Sequence, residues 1–220
     1  MAVAGYTSGM DATDLDRLPL RERKKLRTRQ ALVDTALELF TERGFDGVTL
    51  DALCDAVEVS KRTFFRTFSS KEDVAMAPTQ DLWGAFLEEL ESCEPAPGQP
   101  LFDVLRDALL AALGRMPAEG WAHRVLLSRR LAARTPSMDA HGLAFCDRTG
   151  RAALDVARRR FALPDEDELR ARLAIDVLVA AFHRAVEVWT EGPAPTRDHL
   201  ADALRVACGA VPEALALAAR

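Results

Sequence analysis

Between Thr49 and Phe68 two capping residues, Thr49 and Ser60, each open an apolar pattern too short for any element but a helix. Thr49 precedes Leu50 to Val57, where Leu50, Leu53, Cys54 and Val57 share one side at helical spacing. Glu58 to Ser60 is long enough only for a turn, and Ser60 then caps Lys61 to Phe68. That second segment has two faces. Phe64 and Phe68, four apart, suit a core, while Arg62, Phe65 and Arg66 lie at i, i+3, i+4 on another side with Lys61 beside them. Seven or eight residues make a rod of roughly 10–12 Å, enough to cross a major groove about 12 Å wide. The alternative, a solvated basic face on an ordinary bundle helix, does not account for the caps and turn that come with it.

The rest of the chain reads as helix. Residues 1–20 are small, polar and aperiodic, and are expected to be a disordered leader. A long helix follows from Arg21 to Arg43, with Leu32, Val33, Ala36, Leu37, Leu39 and Phe40 in phase and Gly44 placed for a left-handed cap. Ser69 to Glu72 forms an S-x-x-E capping box opening a fourth helix towards Glu91. Glu94 to Pro100 is a linker rich in proline. Helices are then expected over Leu101–Met116, Gly120–Ala133, Met138–Phe161, Asp165–Glu191 and Thr196–Ala219. The pattern predicts an all-α chain of about nine helices with no strands. It divides into a helix-turn-helix domain over residues 21–70 and a larger helical bundle over 71–220.

Charge is unevenly placed. The net charge is −5, yet residues 21–71 carry eleven Lys or Arg against eight Asp or Glu, and Arg21 to Arg29 holds six basic residues and one acid. A basic stripe beside an acidic bulk is the footprint of a chain that meets phosphate through one small domain. Cys54, Cys93, Cys146 and Cys208 are far apart and form no C-x-x-C pair, so reduced thiols are expected and no metal site. No apolar run reaches the ~20 residues of a membrane span, and no secretory signal opens the chain. The expected compartment is the cytoplasm. The sequence has no G-x-S-x-G, H-E-x-x-H, P-loop or dinucleotide glycine pattern, so neither an enzyme nor a cofactor is expected. His141 and Cys146, five apart, are poorly spaced for a base and nucleophile on one helix. A helical interaction protein that has lost DNA binding stays open as the alternative.

Two stretches, ALVDTALELFTERGFDGVTL (31–50) and VTLDALCDAVEVSKRTFFRTFSSKEDV (48–74), resemble the TetR family of regulators. The matching positions include Phe40, Gly44, Phe45, Thr49, Ala56, Ser60, Phe64, Phe68 and Lys71. The run ArgThrPhePheArg resembles a subgroup frequent in high-GC bacteria. The resemblance implies a homodimer, in most members a repressor, with a C-terminal domain that holds a small-molecule effector and the dimer interface. Three positions depart from the family pattern. Phe65 stands where a tyrosine commonly meets phosphate, Thr67 where many members have histidine, and Glu58 where the turn commonly has glycine. If position 58 needs positive φ, a glutamate there costs about 1 kcal/mol.

Chemistry suggests a role for each candidate. Thr49 can offer a hydroxyl and a backbone N–H to phosphate, and Lys71, in its capping box, is placed likewise. Arg21, Arg23, Lys24 and Lys25 can follow phosphates or reach a minor groove. Arg62 is the first candidate to read a base edge, as guanine O6 and N7. Lys61 and Arg66 come next, or serve phosphate. Thr63 can touch a thymine methyl, Phe65 makes apolar contact, and Thr67 completes the interface. Beyond Met76 the residues speak less directly. Trp83, Phe86, Trp121, His123, Phe145, Phe182, His183 and Trp189 are the candidate effector-pocket residues, though each reads more readily as core. Residues 165–219 are the candidate dimer interface, through Leu169, Leu173, Val177, Ala180, Ala181 and Arg184 and an alanine seam at 203, 207, 210, 214 and 218. A two-fold dimer implies a palindromic operator on double-stranded DNA.

Overall fold

The computed structural model describes residues 18–192 and 195–218. Among these the chain is all helical, with no strand. The helices are α1 (Leu20–Arg43), α2 (Leu50–Ala56), α3 (Lys61–Phe65), α4 (Lys71–Ser92), α5 (Leu101–Arg115), α6 (Trp121–Ala132), α7 (Pro136–Phe161), α8 (Glu168–Glu191), α9 (Arg197–Gly209) and α10 (Val211–Leu215), with a 3-10 turn at Asp165–Asp167. The last expected helix is split. Pro212 has no N–H to continue the ladder to Cys208, so α9 stops at Gly209 and a separate short turn follows. The leader lies outside the described residues as far as residue 17, as do residues 193 and 194 of the loop before α9.

Two compact units result, with 18–81 and 123–144 in one and the remaining described residues in the other. The first unit is built on α1. Its Leu32, Val33, Ala36, Leu37 and Phe40 are buried, as their spacing predicts, and meet Leu53, Cys54, Phe64, Phe68 and Val74 in one core. The unit extends past residue 70 because Met138 is fully buried in that core and Leu127 and Leu131 pack against it. Arg29 pairs with Asp81 through two contacts, at 2.7 and 3.1 Å, and lies over the Phe68 ring.

Gly44 ends α1 with φ 79° and ψ 151°. That is not the left-handed helical cap expected but a region open essentially to glycine alone. A Cβ on Gly47 would stand 2.4 Å from the Arg43 carbonyl oxygen, so the Gly44–Val48 loop depends on both glycines. The box opening α4 is shifted by one residue from the expected S-x-x-E. Ser70 caps it, accepting from the Asp73 N–H at 3.2 Å, and the Asp73 carboxylate accepts from the N–H and hydroxyl of Ser69. Glu72 instead turns aside. Burial pushes its pKa up, but its own backbone N–H, the hydroxyls of Ser70 and Ser137, and His141 bring it below the ordinary glutamate value.

In the second unit α8 and α9 pack along each other and on α5. The Trp189 indole donates to the Thr196 carbonyl at 2.7 Å, and Arg197 donates to the carbonyls of Gly114 and Met116, closing the end of α5. Cys54 and Cys208 are buried, Cys93 and Cys146 partly so, and all four are free thiols. Among the described residues no helix is long and apolar enough to cross a membrane.

Candidate nucleic-acid interface

The two caps form as their chemistry requires. Thr49 Oγ1 accepts from the Ala52 N–H at 3.1 Å and Ser60 Oγ from the Thr63 N–H at 3.2 Å. The intervening turn is tight, with Glu58 at φ 55° and the Val59 N–H donating to the Cys54 carbonyl at 2.9 Å. The left-handed conformation considered for position 58 is therefore present, held by a residue with a Cβ. Helix α3 is shorter than expected. Regular helix ends at Phe65, and single turns carry it to Phe68 through N–H bonds of Thr67 and Phe68 to the Phe64 carbonyl.

The two faces of α3 separate cleanly. Phe64 and Phe68 are buried with ring centroids 5.8 Å apart. Lys61, Arg62, Phe65 and Arg66 are exposed. Phe65 is 56% exposed yet held edge-on against the Phe64 ring at 5.5 Å, so an apolar plate stands between two arginines. Arg62 and Arg66 have no side-chain partner among the described residues, which leaves both guanidinium groups available. Lys61 differs, since its ammonium lies 2.7 Å from Asp51 on α2. That carboxylate pushes the Lys61 pKa up. Thr63 shares a hydroxyl contact with Ser60 at 3.1 Å, and Thr67 donates to the Thr63 carbonyl.

The other candidates divide. Thr49 is exposed at the start of α2, and Lys24 and Lys25 are exposed on the first turns of α1 with Arg23 half-buried. Lys71 starts α4, and its ammonium donates to the Phe45 and Val48 carbonyls at 2.9 and 2.8 Å. Arg29, counted in the basic stripe, is engaged with Asp81. The part of Asp51 had no sequence signal, because a partner ten positions away across a turn obeys no helical spacing. The Ser70–Asp73 box was legible, but two adjacent serines offer the same pattern.

A sequence profile described as bacterial regulatory proteins, tetR family, matches residues 32–77. The HTH-type transcriptional regulator TcmR of Streptomyces glaucescens is 37% identical over 177 residues, spanning 77% of this chain and 76% of that protein. The chain belongs to the tetR family of bacterial regulatory proteins. Another relative, the biofilm operon icaADBC HTH-type negative transcriptional regulator IcaR of Staphylococcus epidermidis, is 27% identical over 62 residues, 28% of this chain and 34% of that protein. Among solved structures, a transcriptional regulator of Aquifex aeolicus aligns with a TM-score of 0.49 at 15% identity, over 84% of this chain and 99% of that one.

In this tetR-family DNA-binding regulator the second unit holds most of the aromatic candidates. Trp83, Phe86 and Phe182 are buried together, with edge-to-face contacts at 5.3 and 5.2 Å. Trp121 and Trp189 are buried, Phe145 and His183 are half-buried, and His123 is exposed and belongs to the first unit. Of the eight, Trp83, Phe86, Phe182 and His183 are linked by ring contacts within the second unit. A surface depression of about 680 Å³ lies elsewhere, among Arg151, Asp155, Arg158, Glu166, Glu168 and Arg172 on α7, the 3-10 turn and α8. On the dimer candidates, Leu169 and Leu173 are 70% and 53% exposed, with Ala180 and Arg184 also outward. Ala181 is buried, so it belongs to the inner face of α8.

Proposed function

We propose that this regulator is a ligand-responsive repressor that binds a palindromic operator as a homodimer in the cytoplasm. The observation that carries the reading is the outward face of α3, where two arginines unpaired among the described residues flank an exposed aromatic ring over a buried Phe64–Phe68 base. Arg62 reads a base edge, most simply guanine O6 and N7. Arg66 and Lys61 serve a neighbouring base or phosphate, Thr63 and Phe65 make apolar contact with thymine, and Thr67 lies at the margin. Thr49 offers its hydroxyl and the start of α2 to phosphate, while Arg23, Lys24 and Lys25 track the backbone. The Phe65 side chain without a hydroxyl supports assigning the chain to the ArgThrPhePheArg subgroup.

Dimerisation is supported by the outward apolar residues Leu169, Leu173 and Val188 on α8 and Val206 on α9. Exposed apolar residues recurring along one helix mark a partner surface, and an isologous pairing places two α3 helices about 34–36 Å apart. Repression is supported by the staphylococcal relative, itself a negative regulator. The effector acts on the second unit and shifts DNA affinity by its differential affinity for two states. No catalytic role is assigned.

The test is binding of the wild type and Arg62→Ala to fragments around the gene at several salt concentrations. The reading expects dimeric binding that weakens steeply with salt, and relaxed specificity in Arg62→Ala, worth about 1–3 kcal/mol at one base pair. Affinity indifferent to salt would refute it.

A further inference from the structure

We propose that Lys71 is a positioning residue for DNA binding, a clamp that fixes the Gly44–Val48 loop and so presents Thr49 and the start of α2, and that it is not a phosphate ligand. The inference rests on the DNA-binding reading and changes the role of one residue within it. An ammonium has three N–H donors. Two are used here, on the Phe45 carbonyl at 2.9 Å and the Val48 carbonyl at 2.8 Å, partners 26 and 23 positions away in sequence. The charge also lies 4.6 Å from the centroid of the Phe45 ring and 5.7 Å from that of Phe40, on the negative faces of buried aromatics. Two carbonyls and two rings fix where the ammonium stands, so extending the side chain towards a phosphate would break those contacts.

The loop it holds can take few other shapes. Gly44 sits at φ 79°, and Gly47 has no room for a Cβ beside the Arg43 carbonyl. Phe45 and Val48 are buried at 6% and 1% exposure, which anchors the loop on the core from within. Lys71 closes it from the far side by gathering two carbonyls onto one cation. Thr49 follows directly, exposed, with its hydroxyl already capping α2. Any shift of the Val48 carbonyl therefore moves the Thr49 hydroxyl and the first N–H groups of α2. The clamp acts through those groups.

The experiment uses the full-length protein, with duplexes that the wild type selects from a random-sequence pool. Wild type, Lys71→Met, Thr49→Ala and the double variant are compared over a series of salt concentrations, at a temperature where circular dichroism shows each to be folded. Lys71→Met keeps the aliphatic stem and loses the donors. The clamp predicts about tenfold weaker binding for Lys71→Met with the salt slope unchanged, because neutral hydroxyl and N–H contacts release no counterions. It also predicts that most of this loss disappears on the Thr49→Ala background. A slope smaller by about 0.9, with losses that multiply, would make Lys71 a phosphate ligand and overturn the proposal. Full affinity in the folded Lys71→Met variant would also overturn it, leaving Lys71 a role in stability alone. Failure of the wild type to select any duplex would sink the DNA reading, and the clamp with it.

Discussion

Replacing Glu58 by glycine isolates the cost of the helix-turn-helix turn. Glu58 holds φ at 55°, where an L side chain brings Cβ towards the following carbonyl at a cost of roughly 1–2 kcal/mol. Glycine removes that strain but gives the unfolded chain more freedom, which returns about 0.4–1 kcal/mol. The turn's own bonds run through the backbone, from Glu58 N–H to the Asp55 carbonyl at 3.1 Å and from Val59 N–H to the Cys54 carbonyl at 2.9 Å, so the substitution leaves them in place. The net expectation is a gain of about 0.5–1 kcal/mol, which raises Tm by roughly 1–4 °C for a chain of this size. Glu58→Gln and Glu58→Ala are the controls, since both remove the charge while keeping a Cβ. Urea and thermal melts of the three variants should place glycine above both. In DNA binding, all three should gain alike from losing an acid beside the phosphates. A glycine variant no more stable than the glutamine one would show that position 58 is not strained, and the argument would fail.

Three further outcomes follow from the geometry. Asp81→Ala leaves Arg29, only 15% exposed at its side chain, without its bidentate partner, and should cost about 2–3 kcal/mol in urea melts; a loss under about 0.5 kcal/mol would mean the pair contributes no more than an exposed one. Glu72 has a folded pKa below its ordinary value, so its stabilisation is fully present above the unfolded pKa and is lost as pH falls through the folded one. Glu72→Gln should therefore flatten the acid limb of the stability profile and leave its alkaline limb unchanged, and an unaltered acid limb would contradict the assignment. Phe65→Ala should change stability by no more than about 0.5 kcal/mol, as an exposed site, while reducing the preference of the wild type for thymine over uracil in the operator; wild-type indifference to the thymine methyl would exclude an apolar contact there.

How much of this molecule could be read in advance depended on how far apart the interacting groups lie in the chain. The caps at Thr49 and Ser60, the buried face of α1, and the division of α3 into Phe64 and Phe68 within and Arg62, Phe65 and Arg66 without are all set within four residues. Helical periodicity and capping chemistry act over that distance, so the sequence alone determined them, together with the all-helical class and the basic outward face of α3. Where two local solutions were equivalent, as with the adjacent Ser69 and Ser70, pattern could not choose and the box came out one residue later. The aromatics of the second unit were harder, because a tryptophan at helical spacing looks the same whether it lines a pocket or fills a core. Only packing set Trp83, Phe86 and Phe182 edge to face and left His123 exposed. The uses of charge were likewise decided by the tertiary structure. Lys71 and Lys61 read as cations open to DNA and Arg29 as part of a basic run, yet the fold gives them the carbonyls of Phe45 and Val48, the carboxylate of Asp51 and the carboxylate of Asp81 respectively. A side chain's charge is written in its residue type, but its partner is chosen by whichever distant segment the core brings within about 3 Å.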